Sequence, residues 1–430
     1  MLEILKTIIL DFQVNNFEVG IPRKIIFEKI SKKASIFIGV RRSGKSYFLN
    51  QIIDNLLRTG VPKTNILYFD FFDDRLSFFN KDNLQLILDA YFQLYPLNQK
   101  SQVYYFFDEI QVVDGWESFV NRLLQNGNNE VYITGSSSKM LSKEIATQMR
   151  GRSLSWEIFP FSFAEFCFDL ELNEKSASSS QEKYLLQNKL EEYLIQGGFP
   201  EVLNVSDKLR LKIHQEYLET ILFRDIIERH NSDNPQAIYK LAVHLINNIS
   251  SLYSINNLVN YLSSIGFKVS KQFVGEVITW FHDAYFLFPV KLFSTSLNKQ
   301  NVNPKKIYCI DHSFVSSIST SFNSNFGSKI ENLVFIHLCR NFQKINYYKT
   351  KNGKEVDFIV SDKLNDIKLI QVCDSVSNEK TLERETSALF DAMTEMGLKK
   401  SSLITRNEEK IIKKDAKEIT IIPLWKFLIS

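Results

Sequence analysis

Glycine and proline are scarce in this chain of 430 residues, at 15 and 9. Both fall below their usual shares of about 7% and 5%, so long disordered linkers are not expected. Each glycine that does appear is correspondingly informative. Cysteine is scarcer still. The four, Cys167, Cys309, Cys339 and Cys373, are dispersed and form no CxxC pair. That spacing excludes a zinc ribbon or a thioredoxin-like motif. No run approaches eighteen uninterrupted apolar residues, so no transmembrane helix and no membrane partner are expected. The opening MLEILKTIIL carries Glu3 and Lys6 inside its apolar stretch and reads as a poor signal peptide. A reducing, cytoplasmic setting follows as the expectation. Large charge of one sign is also missing: Lys plus Arg is 52, Asp plus Glu is 49, and the formal net charge is +3. Histone-like binding through bulk positive charge is thereby excluded, while a local phosphate-binding patch is not.

What is present is the composition of a soluble globular chain, 44% hydrophobic and 23% charged, with 35 phenylalanines to fill several cores. The length predicts two to four domains. From Ala34, ASIFIGV reads as a buried strand, and SYFLNQIIDNLL follows with helical periodicity. NILYFDF, VYYFFDE and VYITGSS are three more apolar runs, separated by amphipathic stretches. Strand alternating with helix over 34–165 predicts a parallel sheet covered on both faces. Residues 171–183 are polar and serine-rich and read as a boundary. Helical patterns dominate 184–300. Within them helix, glycine turn, helix and a β-rich tail suggest a winged helix, with Ser270 capping its second helix. Strands return from about 304. The predicted division is 1–170, 184–300 and 301–430.

Gly39-Val40-Arg41-Arg42-Ser43-Gly44-Lys45-Ser46 matches G-x-x-x-x-G-K-[ST] at every defined position. It has the strand before it and the helix after it that the motif needs. In such a loop the glycines let backbone N–H groups curl around phosphate, and the helix contributes its positive end. Lys45 would reach the phosphate oxygens and Ser46 would ligate Mg²⁺. Gly39, Arg42, Ser43, Gly44, Lys45, Ser46 and Tyr47 are therefore the candidate nucleotide contacts. Val103–Glu109 is an apolar strand ending in adjacent acids. Asp108 is placed to hold the Mg²⁺ shell and Glu109 to orient and deprotonate water. An N-K-x-D sequence is missing, since Asn80-Lys81-Asp82-Asn83 fails at its last position, so the expected nucleotide is ATP.

IFIGVRRSGKS, YYFFDEIQ, VYITGSSSKML, RGRS with PFSFAEF, and GGFPEV together resemble the bacterial and archaeal AAA-type ATPases with a C-terminal domain of unknown function and restriction-endonuclease-like fold. The resemblance spans about residues 20 to 400. It implies an α/β fold: a P-loop NTPase parallel sheet of the AAA type, a helical and winged-helix region, then a restriction-endonuclease-like α/β domain. It implies that Ser136 or Ser137 senses the γ-phosphate, and that Arg152, or else Arg150, serves a neighbouring subunit's nucleotide. The expected assembly is a homo-oligomer, a hexameric ring above others.

The same resemblance frames the C-terminal domain. Nucleases of that fold need a helix acid, an Asp, and Glu-x-Lys on the next strand. Here Glu331 lies in a helical stretch and Asp357 at a strand start, with Glu355 two residues before it. Gln371 and Cys373 stand where the Glu and Lys are expected. No nearby residue replaces the lysine, so the domain is expected to be catalytically degenerate. Lys271 and Gln272 open the second helix of the winged-helix stretch and suggest salt-sensitive, sequence-tolerant DNA binding. The leading expectation is an ATP-driven remodeller or motor on DNA. Its rival is a signalling or defence switch whose C-terminal domains bind a protein.

Overall fold

The computed structural model describes residues 1–77, 79–125, 128–136, 147–170, 179–318, 326–361 and 367–429. The chain forms two compact units, Met1–Phe159 and Pro160–Ser430.

In the first unit, helix α1 (Leu2–Val14) precedes strand β1 (Ala34–Gly39), helix α2 (Lys45–Arg58) and β2 (Ile66–Asp70). Helix α3 (Leu84–Leu94), β3 (Tyr104–Asp108), α4 (Trp116–Leu123), β4 (Glu130–Ser136) and β5 (Ser153–Glu157) complete it. The five strands are parallel in the order β2-β3-β4-β1-β5. Every residue of β1 is buried, as a strand covered on both faces requires. Helix α2 starts at Gly44, whose φ of 91° lies in the left-handed region open to glycine. It buries Phe48, Leu49, Ile52, Ile53 and Leu56 along one stripe, each worth about 1.5–3 kcal/mol on removal from water. Aromatic rings knit that layer: Phe37 meets Phe48 edge-on at 4.9 Å and Phe106 stacks on Tyr132 at 4.7 Å. Because β4 lies between β1 and β3, the loop after β1 and the acids after β3 open at one rim, with a β4 residue between them. That rim, at the carboxyl ends of the strands, is where open α/β sheets bind ligands.

The second unit begins with helices α5 (Ser180–Gln196) and α6 (Asp207–Thr220), the latter running on as a wider helical turn over Ile221–Glu228. Then come α7 (Pro235–Asn247), β6 (Leu252–Tyr253), α8 (Ile255–Ser264), α9 (Lys271–Asp283), β7 (Leu287–Val290) and β8 (Lys305–Cys309). The last three strands form an antiparallel sheet in the order β6-β8-β7. Ser270 caps α9, its hydroxyl accepting the Phe273 N–H at 3.0 Å. Helix α10 (Phe326–Asn341) leads into a mixed six-stranded sheet, β13-β14-β12-β11-β10-β9. Its strands are β9 (Lys344–Lys349), β10 (Glu355–Ser361), β11 (Ile367–Val372), β12 (Lys400–Thr405), β13 (Lys410–Lys414) and β14 (Lys417–Pro423). Helix α11 (Glu379–Met396) covers it, packing Leu389, Ala392 and Met393 on Val356, Leu369, Leu403 and Ile421.

Candidate functional site

The phosphate loop and the two acids meet at the carboxyl rim of the first unit. Lys45, only 5% exposed, donates from Nζ to the carbonyls of Gly39 (3.2 Å) and Val40 (3.1 Å). The same ammonium lies 3.8 Å from Glu109 Oε1. Gly39 could be no other residue: a Cβ there would overlap the Ile158 carbonyl, held close because Ile158 N–H donates to Ile38 O at 2.7 Å. Ser43 is fully buried in the loop, and its Oγ has no hydrogen-bond partner. A buried hydroxyl in that state costs about 1–3 kcal/mol.

Asp108 is 2% exposed and receives the hydroxyls of Ser46, Thr134 and Tyr68, the last at 3.0 Å. Burial pushes its carboxyl upward, against those hydrogen bonds. Asp70, in register with Asp108 on β2, is pushed up to about 6. Burial is the main cause there, and the charges of Asp108 and Glu109 add to it. Glu109 sits at φ 54°, with its N–H on Thr134 Oγ1 at 3.1 Å and its carboxylate receiving the Gln111 amide. These groups suit Mg²⁺: Ser46 and Asp108 are hard oxygen donors, and the buried Asp108 is short of positive charge. They are the residues that would hold it.

The segment before β1 straps the loop. Arg23 donates to Ser43 O at 2.8 Å and to Phe159 O at 2.6 Å, while Gln51 holds the carbonyls of Val19 and Ile21. Tyr47 reaches Glu18 at 3.1 Å and leaves an exposed ring beside that strap. Arg42, at φ 64°, is exposed at the loop tip. Ser137 and the side chain of Ser136 lie outside the described residues. The polar group found at this rim is Thr134, two residues earlier. Arg152 is exposed just before β5, its carbonyl accepting the Ala34 N–H at 2.9 Å. That is the opposite end of β1 from the loop, on the order of 15–20 Å away at about 3.3 Å per residue. Arg150 is likewise exposed, in the left-handed region at φ 52°.

Tyr68, Asp70, Gln111, Thr134 and Arg23 were not singled out from the sequence. One signal was available for Thr134, the lone aliphatic hydroxyl inside the apolar run VYIT. Conversely, GGFPEV is structural. Gly198 N–H donates to Asp311 at 2.7 Å, and Phe161 N–H donates to Gly198 O at 2.6 Å. A Cβ on Gly197 would strike Ser313 and Asp311.

In the second unit Glu331, Glu355 and Asp357 converge on one ammonium, that of Lys306 on β8. Its Nζ lies 3.0, 2.9 and 2.8 Å from them. Lys306 was not singled out from the sequence, and it lies on a different element from the acids that surround it. Gln371 does not touch Lys306. It accepts the Asp357 N–H at 3.1 Å and donates to Glu385 at 2.8 Å. Cys373 is half-buried, its thiol turned to Ser375 O.

A parallel sheet, a complete phosphate loop and a paired acid at one rim define a P-loop ATPase domain. A model of the AAA domain matches residues 31–167, and two models of domains of unknown function, DUF8612 and DUF4143, match 187–325 and 326–427. Uncharacterized protein MJ1544 of Methanocaldococcus jannaschii is 37% identical over 97% of this chain and 94% of its own length. An uncharacterized protein of Haemophilus influenzae is 30% identical over 78% of this chain and 81% of its own length. The chain belongs to the family of these two proteins, and its first unit carries the AAA-type P-loop ATPase domain. Among solved structures, the Walker-type ATPase PABY2304 of Pyrococcus abyssi covers 66% of this chain and 90% of its own, at 13% identity and TM-score 0.41. The Aeropyrum pernix ORC1 protein in complex with DNA covers 74% and 91%, at 10% identity and TM-score 0.28. No helix among the described residues is long and apolar enough to cross a membrane.

Proposed function

We propose that the chain hydrolyses ATP and couples turnover to work on DNA. One observation carries the hydrolytic part: Lys45 and Glu109 face each other across 3.8 Å, beside a buried Asp108. Lys45 would leave its loop carbonyls for the β- and γ-phosphate oxygens, to which it is far better matched in charge. That move releases Glu109, which takes a proton from the attacking water. Thr134 fixes the Glu109 backbone and donates its hydroxyl to Asp108. Mg²⁺, when bound by Ser46 and Asp108, neutralises phosphate charge. Arg152, remote from its own loop, suits a role on a neighbouring chain in a ring, a hexamer being our reading.

For the second unit we read α7, β6, α8, α9, β7 and β8 as a winged helix and the six-stranded sheet as a degenerate nuclease-like domain. Lys271, at the exposed start of α9, would meet phosphate. A second reading, docking of a protein partner, is favoured by charge. Over its thirteen residues α9 carries Lys271 alone as a full cation, against Glu276 and Asp283, a poor electrostatic footprint for DNA. ATP turnover measured with and without duplex, branched and single-stranded DNA separates the two. The DNA reading expects stimulation of at least about threefold that fades as salt rises and is lost in Lys271→Glu. Basal turnover indifferent to every DNA form at low salt would transfer the role to a protein.

A further inference from the structure

Lys306 is 3% exposed on β8. A lone ammonium so deeply buried would shed its proton. Burial does oppose its charge, but Asp357, Glu331 and Glu355 outweigh that and hold it well above the ordinary lysine range. The ammonium donates to Asp357 at 2.8 Å and Glu331 at 3.0 Å, with Glu355 Oε1 at 2.9 Å. Three carboxylate oxygens from two elements, α10 and β10, thus surround one nitrogen.

Everything around the cluster aims those oxygens inward. The Tyr308 hydroxyl donates to Glu331 at 2.7 Å, and Val372 N–H donates to the second oxygen of Asp357 at 2.9 Å. Asn332, the neighbour of Glu331, clamps both backbone groups of Cys309 and so pins α10 to the strand that carries Lys306. The β9–β10 ladder shifts register between Val356 and Ile359, at Asp357 itself; bulges of this kind re-aim a side chain. The cluster is therefore more than a gathering of acids, because a cation is already seated at its centre. Burial and then the charge of Asp357 push Glu331 up to about 8, so near neutral pH the cluster carries a formal charge between −2 and −1, which a divalent ion would offset more fully than a lysine does.

We propose that the Lys306 ammonium is a built-in cation standing where Glu331, Glu355 and Asp357 would otherwise hold a divalent metal ion, and that removing it opens a metal site. The distances fit the first half of this statement. Oxygens at 2.8–3.0 Å from the nitrogen suit N–H donors, whereas Ca²⁺ needs about 2.3–2.6 Å and Mg²⁺ about 2.0–2.1 Å. In agreement, no group of three or more His, Cys, Asp or Glu among the described residues is set to hold an ion as it stands. The second half follows from the oxygen set. Without the nitrogen, the oxygens need to close by less than about 1 Å to reach bonding distance. With it in place a metal ion and the ammonium would compete for the same oxygens, so the native cluster stays free of metal and cannot activate water by that route. The inference stands on this geometry whether or not the sheet is nuclease-like, and it is independent of ATP hydrolysis.

The test is Mn²⁺ binding to the full chain without nucleotide, followed by paramagnetic resonance of the free ion. Lys306→Met should bind one Mn²⁺ per chain more than wild type, at least tenfold more tightly than any wild-type site that depends on Asp357. Lys306→Met combined with Asp357→Asn should lose that ion. Thermal midpoints provide a second readout, in Lys306→Met and in the milder Lys306→Gln. Mn²⁺ should raise the midpoint of either variant by several degrees more than that of wild type. Two results overturn the proposal: an Mn²⁺ site in wild type that Asp357→Asn abolishes, or folded Lys306 variants that gain neither an ion nor a midpoint shift.

Discussion

Thr134 shows how much of the nucleotide site depends on a single hydroxyl. It donates to Asp108 and accepts the Glu109 N–H, so it ties both acids to the strand between them and the loop. Glu109 needs that tie, since a non-glycine residue at φ 54° gives up backbone freedom to aim its carboxylate. Thr134→Val keeps the shape and removes both hydrogen bonds. Leaving a buried N–H unpaired should cost about 1–3 kcal/mol of stability. With Glu109 loosened, turnover should fall about tenfold or more while ATP binding changes little. Steady-state kinetics and a denaturation curve on the same preparation check both effects, and an unchanged turnover number would remove Thr134 from the machinery. At this scale the sequence was legible where chemistry and chain neighbourhood coincide. Gly39 to Ser46 and Asp108–Glu109 are contiguous stretches with strong type requirements. Thr134, Tyr68, Asp70 and Lys306 reach their partners across strands, and only folding brings them together.

Among the elements, the four strands read from apolar runs in the first unit are all present, and parallel pairing explains why those runs do not alternate. Strand β5 was harder to see: SLSWE is short and none of it is buried. The GGFPEV turn was legible as a motif but not as a structural device, because its partners Asp311 and Ser313 come more than a hundred residues later. Helix α10 illustrates a further consequence of packing. It carries His337, whose ring lies 4.8 Å from that of Phe427 and whose pKa is pushed down to about 4, by burial first and then by Arg340. The folded protein therefore keeps this ring neutral. Above pH 6.5 the ring is neutral in both states and nothing is lost. Between 6.5 and 4 the unfolded chain binds a proton that the folded chain excludes, so stability falls by about 1.4 kcal/mol per pH unit from this residue. His337→Gln removes that dependence. Urea denaturation at pH 7 and pH 5 should show the variant losing about 2 kcal/mol less than wild type on acidification; equal losses would mean the ring protonates freely in the folded state.

Over the whole molecule, two units bring together buried charge of different kinds. In the first, the ammonium of Lys45 is held by loop carbonyls and lies 3.8 Å from Glu109, an arrangement that in our proposal a nucleotide displaces. In the second, Lys306 is enclosed by three carboxylates. One lysine is poised to exchange partners, and the other is committed. Our proposal puts the chemistry of the chain at the carboxyl rim of the parallel sheet, and it is open to one direct measurement. Single-turnover ATP hydrolysis with Mg²⁺ should be compared for wild type and Glu109→Gln, with the nucleotide retained on the protein identified after gel filtration. Loss of a general base typically costs 10²–10⁴-fold, so Glu109→Gln should hydrolyse at least about a hundredfold more slowly. It should leave the column carrying intact ATP. Hydrolysis by Glu109→Gln at the wild-type rate, with only ADP retained, would contradict the account.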